Sequence, residues 1–176
     1  MIVYQATKEK FLSDSFTGDI EEIILAAYRK ATGRGIGDSE VLSWRHSLMS
    51  MAKVLNDDGI PSDAGVGIEF GIPQTAKRID FILTCRDEND AANVIIVELK
   101  QWSEARRTDK DGVVITRLSR GEQEVGHPSY QAWSYAMLLE GFNEAVYEGG
   151  MTLQPCAYLH NYVPDEVITH SCYAHY

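Results

Sequence analysis

Two short apolar runs carry charges where a buried strand has no use for them. Arg78-Ile79-Asp80-Phe81-Ile82-Leu83 and Val94-Ile95-Ile96-Val97-Glu98-Leu99-Lys100 both have strand composition. The first contains Asp80; the second ends on Glu98 and Lys100, two positions apart. An unpaired charge in an apolar interior costs several kcal/mol or more. The chain must therefore turn these strand ends to water or gather the charges into a site. Strand residues two apart point to the same side. Glu98 and Lys100 thus share a face, with the Leu99 carbonyl between them, and Asp80 on the preceding strand reaches the same end.

The surrounding pattern predicts one α/β domain over residues 1–176, with a mixed central β-sheet flanked by helices. Asp19 followed by Glu22 is a capping-box pattern. Ile20, Ile23, Ile24 and Ala27 then recur at helical spacing until Gly33 and Gly35. A second helix starts near Asp38 or Ser39, with Val41, Trp44, Leu48, Met51, Ala52 and Leu55 as its apolar stripe. Strands follow at 66–72, 78–84 and 93–101, as an antiparallel meander, with 86–90 as a turn. Residues 103–126 are polar and mixed, and Val113 to Thr116 reads as a short strand or an ordered loop. A helix opens at His127-Pro128-Ser129 and runs to about Asn143, and 152–160 is a last strand. The tail, 163–176, has weak periodicity; it is expected to be disordered or to begin a further region.

Charge and cysteines narrow the function classes. The chain has 26 acidic and 16 basic residues, a net charge of -10. That balance argues against a generic electrostatic nucleic-acid binder. It leaves room for an enzyme that collects carboxylates around a cation and keeps its bases in one patch. Between Lys100 and Arg120 six bases (Lys100, Arg106, Arg107, Lys110, Arg117, Arg120) face three acids (Glu104, Asp109, Asp111). This stretch, joined by Lys77 and Arg78, is the natural phosphate-facing surface; the plainer reading is a solvated loop. Cys85, Cys156 and Cys172 are odd in number and widely spaced. They suit a reducing cytoplasm and are too few for a four-cysteine iron–sulfur cluster. No apolar run reaches membrane-spanning length and the N-terminus lacks a signal pattern, so a cytoplasmic location without a membrane partner is expected.

Asp80, Glu98 and the Leu99 carbonyl form a hard-oxygen set suited to Mg²⁺ or Mn²⁺. The Lys100 ammonium can hold an attacking water or offset charge building on a phosphate. Together these suit metal-assisted phosphodiester hydrolysis. The plainer alternative is a surface ion pair between Glu98 and Lys100 with Asp80 solvated.

The D…ExK arrangement resembles the PD-(D/E)xK nuclease superfamily. Gln131-Ala132-Trp133-Ser134-Tyr135 matches the QxxxY element of its RecB-like members, with Gln131 and Tyr135 on one helix face. Further segments look like one bacterial family: Ser39 to Arg45, Lys77 to Leu83, Val97 to Trp102, His127 to Tyr135 and Gln154 to Tyr162. That family is the nuclease-like region found N-terminal to schlafen group 3-like helicase domains, and the similarity covers essentially the whole chain. The resemblance implies a restriction-endonuclease-like core and a Mg²⁺- or Mn²⁺-dependent deoxyribonuclease, with DNA favoured over RNA. It gives Asp80, Glu98, Lys100, Gln131 and Tyr135 catalytic roles, with Gln131 and Tyr135 ordering the lysine or touching the nucleic-acid backbone. It also implies a helicase domain in the full-length protein. No Walker-type GxxxxGK[ST] occurs here, so an excised domain or a truncated product is expected, without ATPase activity.

Many superfamily members add an acid from a preceding helix, which would help hold the metal or a second metal. Glu40 fits, because its helix also carries Trp44-Arg45; the plainer role is a first-turn interaction with the helix dipole. Glu69, opposite the apolar face of Val66, Ile68, Phe70 and Ile72, is the rival. His127 is read as a helix cap or a packed side chain. His170, Cys172 and His175 form HxCxxH, which matches no common zinc framework. A different class of function stays open beside the nuclease: a non-catalytic nucleic-acid-binding or interaction module. A small-molecule metallohydrolase lacks any HxxE or HxH cluster.

Overall fold

A computed structural model describes all 176 residues. The core is a mixed five-stranded sheet flanked by helices. Its strands are β1 (Tyr4–Thr7), β2 (Gly65–Gly71), β3 (Arg78–Arg86), β4 (Ala92–Lys100) and, last in the chain, Thr152–Leu159. They lie in that order, antiparallel except for the final pair, in which Thr152–Leu159 runs parallel to β4. The expected meander is β2-β3-β4. A short strand and a helix also occur at the start: β1, then α1 (Lys8–Phe16). Four residues of β1 are too short to show alternation.

Helices α1, α2 (Ile20–Thr32) and α3 (Asp38–Leu55) cover one face of the sheet, and α4 (Pro128–Phe142) covers the other. This explains the uninterrupted apolar run in β4, since a strand buried on both faces does not alternate. On the first face Leu48, Met51 and Leu55 of α3 pack with Phe11, Ile24, Ile68 and Phe81. Each such burial contributes roughly 1.5–3 kcal/mol of transfer free energy. The α3 stripe is as the spacing predicts. In α2, Ile23 is 36% exposed and lies outside the stripe. Asp19 precedes α2 but makes no side-chain cap, so the capping box is not formed. The helix does end on Gly33, in the left-handed conformation (φ 67°) that glycine accepts without penalty.

Residues 103–126 include Val113 to Thr116 as strand, the first of its two readings. They contain β5 (Arg106–Arg107), β6 (Val113–Leu118) and β7 (Gly121–Gly126), a separate three-stranded antiparallel sheet. After α4 come α5 (Glu144–Tyr147), β8 (Thr152–Leu159) and a short 3-10 turn at Ser171–Tyr173. The tail attaches the small sheet to the body. Buried Tyr173 packs with Trp102 and Val114 and stacks on fully buried His127, ring centroids 4.0 Å apart. His127 Nδ1 accepts from the Ser129 amide, so it caps α4 as read; its Nε2 meets the Ile168 carbonyl at 3.1 Å. The weak periodicity of 163–176 thus reflects irregular packing and not a formless end. No helix is long and apolar enough to cross a membrane.

Candidate active site

The site forms where the sheet comes apart. β3 and β4 are hydrogen-bonded up to the pair Phe81 and Val97. One residue further, the Leu99 amide donates to Asp80 Oδ2 at 2.9 Å, so a side chain stands in for a backbone acceptor. β2 breaks at the same level. Ile68 and Phe81 are directly opposed and join the core beneath α3. Phe70 and Ile79, the next opposed pair, join the core beneath α4. Between them Glu69 has φ 58°, a left-handed backbone uncommon for a side-chain-bearing residue. Glu69 therefore has no solvent-facing strand position; it is 3% exposed.

The resulting cavity has a volume of about 590 Å³ and opens between α3, α4 and the split strands. Asp80, Glu98, Leu99, Lys100, Gln131 and Tyr135 all line it, as do Glu40, Glu69 and Arg78. Glu98 is 1% exposed. Its Oε1 receives Lys100 Nζ at 2.5 Å and Gln131 Nε2 at 2.7 Å. Gln131 Nε2 also meets the Tyr135 hydroxyl at 2.7 Å, while the Tyr135 ring packs in the core with Ile79 and Ile96. The other Glu98 oxygen, Oε2, is buried without a partner. Burial, and then the neighbouring Asp80 carboxylate, push Glu98 up to about 8; Lys100 opposes this only in part. Asp80 is also raised, chiefly by burial, against the pull of the Leu99 amide and Lys100. Such a pair behaves as a unit that retains a proton near neutrality.

The two candidate upstream acids meet on one cation. Arg78 Nη2 donates to Glu40 Oε1 at 3.0 Å, and Arg78 Nε forms an ion pair with Glu69 Oε2. Trp44 Nε1 donates to Glu69 Oε1 at 2.7 Å. Burial raises Glu69 to about 7 in spite of Arg78 and Trp44. Arg78, expected on the nucleic-acid surface, lines the cavity. The signal was its position two residues before Asp80 on one strand. Lys77 Nζ lies 5.6 Å from the Tyr135 ring centroid, beside the cavity.

The remaining basic candidates lie elsewhere, and all but Arg120 are partnered. Arg106 pairs with Glu122, Lys110 with Glu124 and Arg117 with Glu104. Arg107 meets His170 Nε2 at 2.9 Å. None of Arg106, Arg107, Arg117 and Arg120 lines the cavity. The apparent excess of bases ended at Arg120; Glu122 and Glu124, just beyond, are strand partners of that stretch. His170 is engaged by Arg107 and by the Cys172 amide, so HxCxxH is a turn and not a zinc cluster. Sequence reasoning missed a pair of histidines beside the cavity. His46 Nδ1 meets Gln101 Nε2 at 2.9 Å, and His160 Nε2 meets Ser47 Oγ at 3.0 Å. Their partners are too distant in sequence for any local pattern to show.

No three or more His, Cys, Asp or Glu side chains are grouped as a complete metal cage. The donors available to a hard cation are Asp80, the unpartnered Glu98 oxygen and the Leu99 carbonyl. That set fits Mg²⁺, which is commonly held by one or two carboxylates with water and substrate phosphate completing its shell. Comparison of the chain with protein-family models, curated proteins and solved structures returned no match.

Proposed function

We propose that this domain is a metal-dependent nuclease that hydrolyses phosphodiester bonds in DNA, with RNA the less favoured substrate. The reading takes the sheet as a restriction-endonuclease-like core. In a longer protein it places the domain beside a helicase, as the resemblance implies. The observation that carries it is Glu98: a cavity-lining residue at 1% exposure, with one oxygen on Lys100 and Gln131 and the other buried without a partner. Buried polar atoms are almost always hydrogen-bonded, so an orphaned oxygen on a cavity-lining residue suits a ligand.

Bound at Asp80, Glu98 and the Leu99 carbonyl, Mg²⁺ or Mn²⁺ would supply Lewis acidity and lower the pKa of water. The chain's own residues do the rest. The Leu99 amide fixes one oxygen of Asp80. Gln131 Nε2 donates to Glu98 Oε1 and to the hydroxyl of Tyr135, whose ring is anchored in the core. Lys100, held on Glu98 Oε1, would hold the attacking water and offset charge on the phosphate.

Cleavage of single- and double-stranded DNA and of RNA, with Mg²⁺ or Mn²⁺, tests the proposal. DNA cleavage is expected from the parent and not from Lys100→Ala, with the fold unchanged by circular dichroism. Lys100→Ala cutting as fast as the parent would refute the mechanism. Binding of nucleic acid without any cleavage would favour the non-catalytic module.

A further inference from the structure

Arg78 is held in an unusual position for a base expected to meet solvent. Its guanidinium lies between Glu40, from the first turn of α3, and buried Glu69, from the break in β2. Glu69 is fixed from the other side by Trp44. Arg78 is also two residues from Asp80, and all five side chains line one cavity. Without Arg78, Glu40 and Glu69 would form a second carboxylate pair next to Asp80, suited to a further divalent cation. With it, that place is taken. A guanidinium cannot be lost by deprotonation, and a divalent ion brought beside it would be repelled.

We propose that Arg78 acts as a built-in second cation, so that the site takes one divalent ion per chain and not two. This inference rests on the proposed metal site at Asp80 and Glu98. Arg78 is a positioning residue here. Of its five N–H donors, one on Nη2 bonds Glu40 and the Nε group faces Glu69 as an ion pair, so its one permanent charge is shared by both acids. The others are left for a phosphate oxygen in the same cavity. A nuclease built this way needs its free cation only at the Asp80–Glu98 end, and the fixed charge at the other end does not depend on ion concentration.

Isothermal titration with Mn²⁺ at pH 8.5, paired with electron paramagnetic resonance of the bound ion, gives the stoichiometry directly. The parent is expected to bind one ion per chain, and Glu98→Gln to bind it at least tenfold more weakly. Arg78→Ala is expected to bind two. Arg78→Gln, which keeps hydrogen-bonding capacity but removes the charge, carries the same expectation if Arg78→Ala does not fold. Arg78→Lys should stay at one, and Glu40→Gln added to Arg78→Ala should return the count to one. Two ions in the parent, or one ion in both neutral Arg78 variants, would overturn the role of Arg78 while leaving the metal site standing. No ion in the parent would overturn the metal site and this inference with it.

Discussion

The cavity and the small sheet are built from the same residue types, yet they use them in opposite ways. In the small sheet Arg106–Glu122, Lys110–Glu124 and Arg117–Glu104 lie in solvent, each partner about half exposed or more. Water already satisfies such charges, so each pair contributes at most about 1 kcal/mol. In the cavity Glu98 and Glu69 are almost wholly removed from water. There each missing partner matters: burial lifts both acids well above ordinary carboxylates, and one Glu98 oxygen remains unpaired. Charge pairing at the surface is reversible decoration, whereas charge pairing under the split sheet sets what the site will bind.

Exchanging one buried and one exposed glutamate gives the largest contrast. Glu98→Gln keeps the shape and removes the charge. Cation-dependent DNA cleavage is expected to fall by roughly 10³-fold or more, because several kcal/mol of transition-state stabilisation depend on the ion. Glu122→Gln is expected to leave it unchanged. Equal effects on single-turnover cleavage would erase the distinction between the two regions.

The pH dependence of stability sharpens the comparison next. In the metal-free protein Glu98 is raised from 4.5 to about 8 and Glu69 from 4.5 to about 7. Over those windows the folded state holds more protons than the unfolded one. Stability from these groups is therefore full below pH 4.5 and is lost as pH rises through 7 and 8. The slope is about 1.4 kcal/mol per pH unit for each proton. Urea melts across pH 5 to 9 should show this decline, flattened in Glu98→Gln and relieved in the parent by Mn²⁺ at high pH. A stability that rises through this range would contradict the burial of these acids. Reversing exposed charges of the small sheet should not change the slope.

The smallest effect concerns the exposed bases. Charge reversal at Arg106 and Arg107 should change stability by less than about 1 kcal/mol. It should weaken nucleic-acid binding and lower the salt slope by about 0.9 for each phosphate that is no longer neutralised. Fluorescence anisotropy over a salt titration measures both. An unchanged affinity and slope would move the phosphate-facing surface to Lys77 and the cavity rim.

Much of the site was legible because its markers were local. Asp80, Glu98 and Lys100 broke apolar strands, and strand periodicity put Glu98 and Lys100 on one face. Gln131 and Tyr135 were one helical turn apart. The five side chains line one cavity because those periodicities are backbone properties, independent of what packs outside. The meander and the α3 stripe were legible for the same reason. Of the small sheet only Val113 to Thr116 was, because β5 has two residues and β7 has a single apolar side chain, Val125, so neither leaves a hydrophobic pattern.

The sequence by itself determined which residues had to leave an apolar environment or find partners there and, for Glu98, Lys100, Gln131 and Tyr135, which of them share a face. Only the tertiary structure decided how they are partnered. Glu69 alternates in sequence like a solvent-facing residue, but a left-handed backbone at the sheet's break buries it against Trp44, 25 positions away. Arg78 reads as a surface base, but Glu40, 38 positions away, helps draw it into the cavity. Local periodicity specifies direction; the dielectric around a charge, and therefore its proton affinity and the ion it will accept, is set by segments that meet only when the chain folds.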